Sequence, residues 1–204
     1  MFRKLVTLDE ARKIVQHHYE SKILGVEAVS LLEAHNRVLA ENVIASLDIP
    51  PFDRSTVDGY ALRSEDSFGA DENAQVKLGI CGTIGAGEMP RILVEPGTAA
   101  EIVTGAPIPK GADAVVMAEY TERKNDCVYV QTAVAKGENV MKAGADIRKG
   151  ETVLKAGQLL GSREIGVLAA IGLAKISVHK VPKVAVLSTG AEVTEPGKKL
   201  PSGK

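Results

Sequence analysis

Two consecutive prolines, Pro50-Pro51, fix the point around which this chain has to be organised. Proline lacks a backbone N–H and locks φ, so the pair cannot lie inside a helix or a central strand. Asp53, Ser55, Thr56 and Asp58 follow in close succession. Gly59 permits a tight backbone turn after the last of them, and Tyr60-Ala61-Leu62 reads as the start of a strand. Two readings of this loop stand side by side. In one, the Asp and Ser side chains cap their own backbone in a polar turn. In the other, a loop held by prolines at one end and a strand at the other presents rigid oxygen ligands. Hard cations such as Mg²⁺ take one or two carboxylates in that way, with waters and substrate phosphates completing the shell.

Composition narrows the class. At 204 residues the chain is long enough for one or two domains, and its 45% hydrophobic and 25% charged residues match an ordinary globular protein. A net charge of −1 without a basic block argues against nucleic acid as a partner, and the absence of Trp argues against base-stacking platforms. Cys81 and Cys127 stand far apart with no Cys-x-x-Cys, so both read as reduced thiols. No signal-peptide core and no apolar run near the ~18 residues of a membrane span is present. The expectation is a cytoplasmic protein with no membrane partner.

Thr7-Leu8-Asp9-Glu10 is a capping box, and the apolar spacing after it predicts a helix over 8–20 with His18 at a core or interface position. Val26–Val29 reads as a short strand, and Ser30–Glu33 as a second capping box whose short helix ends at Asn36 in the left-handed region. Arg37–Ile44 mixes helical and strand signals and stays open. From residue 60 to about 140 strand runs alternate with turns: Gln75–Ile80, Ala99–Val103, Ala114–Glu119 and Cys127–Gln131, with Lys124-Asn125-Asp126 as a hairpin turn. Gly79, Gly82, Gly85 and Gly87 do not have dinucleotide-loop spacing and lack a following helix, so they read as bends between barrel or sandwich strands. Beyond a glycine-rich polar stretch, Thr152–Leu154 is a strand, Ser162 caps a helix over 163–171, and Lys175–His179 alternates as an edge or half-buried strand. Lys183–Gly190 reads as a buried parallel strand feeding a glycine turn. No Ser-His-Asp, Cys-His or zinc-spaced arrangement emerges, which leaves oxygen chemistry.

Three segments carry a family resemblance. Pro50-Pro51-Phe52-Asp53-Arg54-Ser55-Thr56-Val57-Asp58-Gly59-Tyr60-Ala61 is similar to the signature of the molybdopterin molybdenumtransferases, which include the E domain of gephyrin. Thr104-Gly105-Ala106-Pro107-Ile108-Pro109 with Gly111–Val116 looks like that family's second motif. Val186-Leu187-Ser188-Thr189-Gly190-Ala191-Glu192 looks like the opening of its third domain.

The resemblance implies an α+β fold. An elongated, dimer-forming domain would be built from residues 1–45 and 139–180, a β-rich domain over 46–138 would be inserted into it, and 181–204 would begin an α/β molybdopterin-binding domain. It also implies molybdenum cofactor biosynthesis by a homodimer: insertion of molybdate into adenylylated molybdopterin, with Mg²⁺ and release of AMP. Asp58 matches the residue assisting metal-dependent cleavage of the adenylate. Thr104, Asp146 and Glu192 match substrate contacts, and Ser55 is a weaker candidate for the same pocket.

Departures from the family pattern accompany the matches. Ala145 and Ala191 stand where carboxylates are usual, Met141 stands where an arginine is usual, and Arg54 replaces a frequent asparagine and could supply part of that charge. A thioether cannot grip an anion. A buried parallel strand at 183–190 needs neighbours that do not follow it, so the chain reads as an N-terminal portion. The departures add to the expectation that it is inactive by itself. The alternative is a non-catalytic homologue that binds molybdopterin or a partner protein. Tungstate in place of molybdate is not distinguishable from sequence.

Overall fold

The computed structural model describes residues 5–19, 22–190 and 193–199. In chain order these form α1 (Leu8–His18), β1 (Val26–Ser30), β2 (Val43–Ile44), β3 (Arg54–Ser55), β4 (Gly59–Leu62), β5 (Val76–Ile84), β6 (Thr98–Ile102), β7 (Ala114–Met117), β8 (Thr121–Lys124), β9 (Cys127–Val130), β10 (Val140–Met141), β11 (Thr152–Leu154), α2 (Ser162–Ala170) and β12 (Lys175–His179). The fold is mixed α/β, mostly sheet with few helices.

α1 begins as its capping box dictates. The Thr7 backbone N–H donates to Glu10 Oε2 at 2.8 Å, and the Glu10 N–H donates to Thr7 Oγ1 at 3.3 Å. The helix buries none of its residues, so His18 is exposed and is not a core histidine. Its Nδ1–H donates to the Ile14 carbonyl at 2.9 Å. The second capping box also forms, on a short 3₁₀ turn over Leu31–Glu33, and Asn36 takes a φ of 61°. The ambiguous segment that follows resolves into ladder fragments. Val38 bridges Leu159, Leu39 bridges Val178, and β2 pairs antiparallel with β11.

β1 and β12 pair antiparallel, Val26 opposite His179 through Ser30 opposite Lys175. With α2 they enclose a core that includes Leu39, Val43, Leu154, Leu160, Leu168 and Val178. Here distant parts of the sequence share one apolar interior. α2 starts one residue earlier than expected. Gly161 is its N-cap and Glu164 reaches back to the Gly161 N–H at 3.0 Å, while Ser162 is the first helical residue.

The middle of the chain forms a six-stranded sheet ordered β7-β4-β6-β5-β9-β8, in which only β5 and β6 run parallel. β4 is central and buried along its whole length. Leu62, Leu78, Val116, Val128 and Val130 pack on one face, while Ala61, Ile84, Ala100, Ile102 and Val115 pack on the other. The Lys124–Cys127 hairpin forms as expected, with Asn125 at φ 56°. Gly79 and Gly82 fall inside β5, where the register with β6 breaks between Ile80 and Gly82.

The sheet is curled. In a flat sheet β6 and β8 would lie roughly 14 Å apart, three strand spacings. Arg123 on β8 nevertheless meets Glu101 on β6 at 2.9 Å. β7 and β8, the two edges, are joined by the single turn Ala118–Tyr120, so curling brings the edges toward each other.

One expected element is absent. Residues 183–190 form no strand, and Val184, Val186 and Leu187 are 78%, 88% and 86% exposed. Among the described residues no neighbouring strand supplies a ladder and no layer covers these side chains, so an extended apolar segment gains nothing by becoming a sheet member.

Candidate functional site

The carboxylates of the Pro50-Pro51 loop do different jobs. Asp53 Oδ2 accepts from Lys142 Nζ at 2.7 Å and its Oδ1 accepts from the Ala143 N–H at 2.9 Å. Asp48 Oδ1 accepts from the Lys149 N–H at 2.8 Å. Both acids therefore clamp the distant 142–149 loop. The Lys142 contact, then the Ala143 N–H, hold the Asp53 carboxyl below its ordinary range.

Ser55 fits the polar-turn reading. It is 1% exposed, and its hydroxyl donates to the Val57 carbonyl at 2.6 Å and accepts the Val57 N–H at 3.3 Å. Its oxygen is spent inside its own turn and does not face solvent.

Asp58 fits the other reading. It is exposed, and a single oxygen, Oδ1, accepts both the Thr104 N–H at 2.7 Å and the Thr104 hydroxyl at 2.9 Å. The backbone contact first, then the hydroxyl, lower its pKa, so it is ionised at neutral pH. Two backbone features create this meeting. Gly59 follows Asp58 into β4 instead of making a turn: a Cβ there would stand 1.9 Å from the Val116 carbonyl oxygen. Gly105, at φ +81°, turns the chain after Thr104 as only glycine does readily. The second oxygen of Asp58 has no hydrogen-bond partner among the described residues.

A pocket of about 300 Å³ opens beside Asp58, lined also by Tyr60, Glu101, Val103, Ala118 and Arg123. Glu101 Oε2 accepts from Arg123 at 2.9 Å and from the Thr83 hydroxyl at 3.1 Å. Burial, followed by the charge of Glu101, raises the Tyr60 phenol. Glu101, Arg123 and Tyr60 were not among the residues singled out from sequence. Their signal was faint: Glu101 is the one charged residue of β6, directly opposite Tyr60 of β4.

The remaining candidates lie elsewhere. Asp146 is exposed on the 142–149 loop, where its backbone N–H donates to the Ile49 carbonyl at 2.9 Å. No hydrogen bond joins it to Asp58 or Thr104. Glu192 lies outside the described residues. The β3–β10 register sets Arg54 opposite Met141, and Arg54 Nη2 lies 3.3 Å from the Met141 sulfur. Two of the four departures from the family pattern, Arg54 and Met141, are thus in contact.

Among the described residues no group of three or more His, Cys, Asp or Glu side chains could hold a metal ion. Mg²⁺ does not need such a cage, because one carboxylate with waters and substrate oxygens suffices. The open oxygen of Asp58 fits that demand.

Residues 6–172 match the family described as MoeA N-terminal region (domain I and II). The chain belongs to the MoeA family. Among curated MoeA relatives, the molybdopterin molybdenumtransferase of Staphylococcus aureus is 42% identical over 176 residues, covering 86% of this chain and 42% of the relative. That of Staphylococcus epidermidis is 37% identical over 203 residues, covering 99% of this chain and 48% of the relative. The crystal structure of the molybdopterin biosynthesis moeA protein from Pyrococcus horikoshii superposes with a TM-score of 0.85 at 41% identity, covering 96% of this chain and 52% of that one. The chain spans about half the length of the relatives it matches.

Proposed function

We propose that this MoeA-family chain acts in molybdenum cofactor biosynthesis, inserting molybdate into adenylylated molybdopterin with release of AMP. The observation that carries the reading is the Asp58 carboxylate, ionised and fixed by Thr104 at the mouth of a pocket. An exposed side chain ordinarily samples several rotamers. Two hydrogen bonds to one oxygen hold the other in a constant place, which is the preorganisation that electrostatic catalysis requires. The names of the relatives support molybdenum cofactor biosynthesis as the setting.

In this account Asp58, with substrate oxygens, would hold Mg²⁺, and the cation would offset charge on the phosphoanhydride that breaks. Thr104 fixes Asp58, and a contact with the substrate is assigned to it by resemblance. Asp146 and Glu192 are assigned to substrate contacts by resemblance, and Ser55 to shaping the loop. We assign 1–45 and 139–180 to one domain and 46–138 to an inserted β-rich domain. The separate apolar cores favour this division away from its seams, where Ile49 packs with the first core and Val140 with a core of the inserted sheet. The working form is a cytoplasmic homodimer.

A second reading is a non-catalytic homologue that binds molybdopterin or a partner protein. The carboxylates lost at Ala145 and Ala191 favour it; Met141 takes away a cation that Arg54, in contact with it, could supply in part. One assay separates the two. At its natural length the protein, with Mg²⁺, molybdate and adenylylated molybdopterin, should release AMP in step with molybdenum cofactor formation. Tight binding of the substrate without AMP release would establish the second reading instead.

A further inference from the structure

The curled sheet brings a guanidinium to the pocket that Asp58 lines. Arg123 stands on β8, at the far edge of the sheet order from β4, yet it lines the same pocket as Asp58. Its side chain is 51% exposed. One terminal nitrogen donates to Glu101 at 2.9 Å, and Nε makes a long bond of 3.4 Å to the Asn125 carbonyl. These contacts use two of the five N–H groups of a guanidinium, and the Tyr60 hydroxyl is a further neighbour for a third. Glu101 is braced in turn by the Thr83 hydroxyl at 3.1 Å and by its fixed place opposite Tyr60.

A charged fork with donors to spare, held by a braced carboxylate, suits planar recognition of a second anion. The pocket's own charges set what that anion can be. Glu101 offsets Arg123 and Asp58 remains negative, so a bare anion is repelled while one carried with a divalent cation is welcome. We propose that Arg123 binds phosphoryl oxygens of a magnesium-bound phosphoanhydride, and that Glu101 is the positioning residue that aims its guanidinium toward Asp58. The inference rests on the function proposed above and names a substrate contact for it. A purely structural role, in which the ion pair only staples the curl of the sheet, is the competing account.

Magnesium pyrophosphate is the probe, titrated calorimetrically into the folded 204-residue chain. Arg123→Ala should weaken its binding at least tenfold, and Arg123→Lys should fall between, because a point charge keeps attraction but loses the fork. The exchange variant, Arg123→Glu with Glu101→Arg, keeps an ion pair between the strands but moves the cation to β6. It should retain the wild-type melting temperature and bind as poorly as Arg123→Ala. Wild-type affinity in Arg123→Ala, affinity restored along with stability in the exchange variant, or no pyrophosphate binding by the wild-type chain would each overturn the assignment. The two readings fail separately. Binding that depends on Arg123 without AMP release at natural length overturns the reaction and keeps the site, whereas AMP release with binding indifferent to Arg123 overturns the site alone.

Discussion

Asp58 and Thr104, 46 positions apart in sequence, meet through one carboxylate oxygen that accepts both the backbone N–H and the hydroxyl of the threonine, at 2.7 and 2.9 Å. The contact joins the loop before β4 to the loop after β6, and the β4–β6 pairing holds the two together.

Replacing Thr104 by Val tests how that contact is shared. The shape and the backbone N–H remain while the hydroxyl is lost. The Asp58 pKa should rise toward the ordinary carboxylate value yet stay below it, because the N–H is the larger cause of the depression. Titration of the Asp58 carboxyl carbon by NMR measures this. An unchanged pKa would mean that the hydroxyl plays no part in holding the carboxylate.

Gly59→Ala tests why glycine follows Asp58. A Cβ would stand 1.9 Å from the Val116 carbonyl oxygen, at the first residue of a strand buried along its length. The strands must separate, and the cost should be about 3 kcal/mol, at the upper end for overpacking. Denaturant unfolding measures it. A loss under about 0.5 kcal/mol, the range of harmless surface changes, would show that β4 and β7 part easily.

The Asp53 clamp gives a pH dependence with a definite sign. Its pKa is lowered in the folded state, so its contribution is present above the ordinary carboxylate range and fades as pH falls through the depressed value. Lys142 is 68% exposed and Asp53 39%, so screening limits the ion pair to about 0.5 kcal/mol. Asp53→Asn should be less stable than wild type at pH 7, and the difference should shrink as pH falls below the ordinary carboxylate range. Thermal melts from pH 7 down through that range decide it, and a difference that does not shrink would place the effect elsewhere.

Much of this architecture was legible because local chemistry dictated it. The capping boxes at Thr7 and Ser30, the left-handed Asn36 and the Asn125 hairpin all follow from side chains acting within a few residues. Two things depended on distance and were not legible. The first is the curl that carries Arg123 back to Glu101, which no periodicity encodes. The second is burial: His18 and the Val184–Leu187 run have apolar patterning, yet nothing in the described residues covers them. At the site, Asp58 and Thr104 stood out by motif, and their contact is visible only in three dimensions. Ser55 stood in the same motif and serves its own turn.

Asp58→Asn, made in the protein at its natural length, tests the central claim most directly. The amide oxygen can still accept from Thr104, so the variant should fold normally, with at most a small loss in melting temperature from the weaker neutral hydrogen bonds. AMP release from adenylylated molybdopterin should fall by at least ~10²-fold, the effect of removing one preorganised charged group. A markedly lowered melting temperature with an unchanged rate per folded molecule would contradict the account and leave Asp58 as a residue that merely ties two loops together.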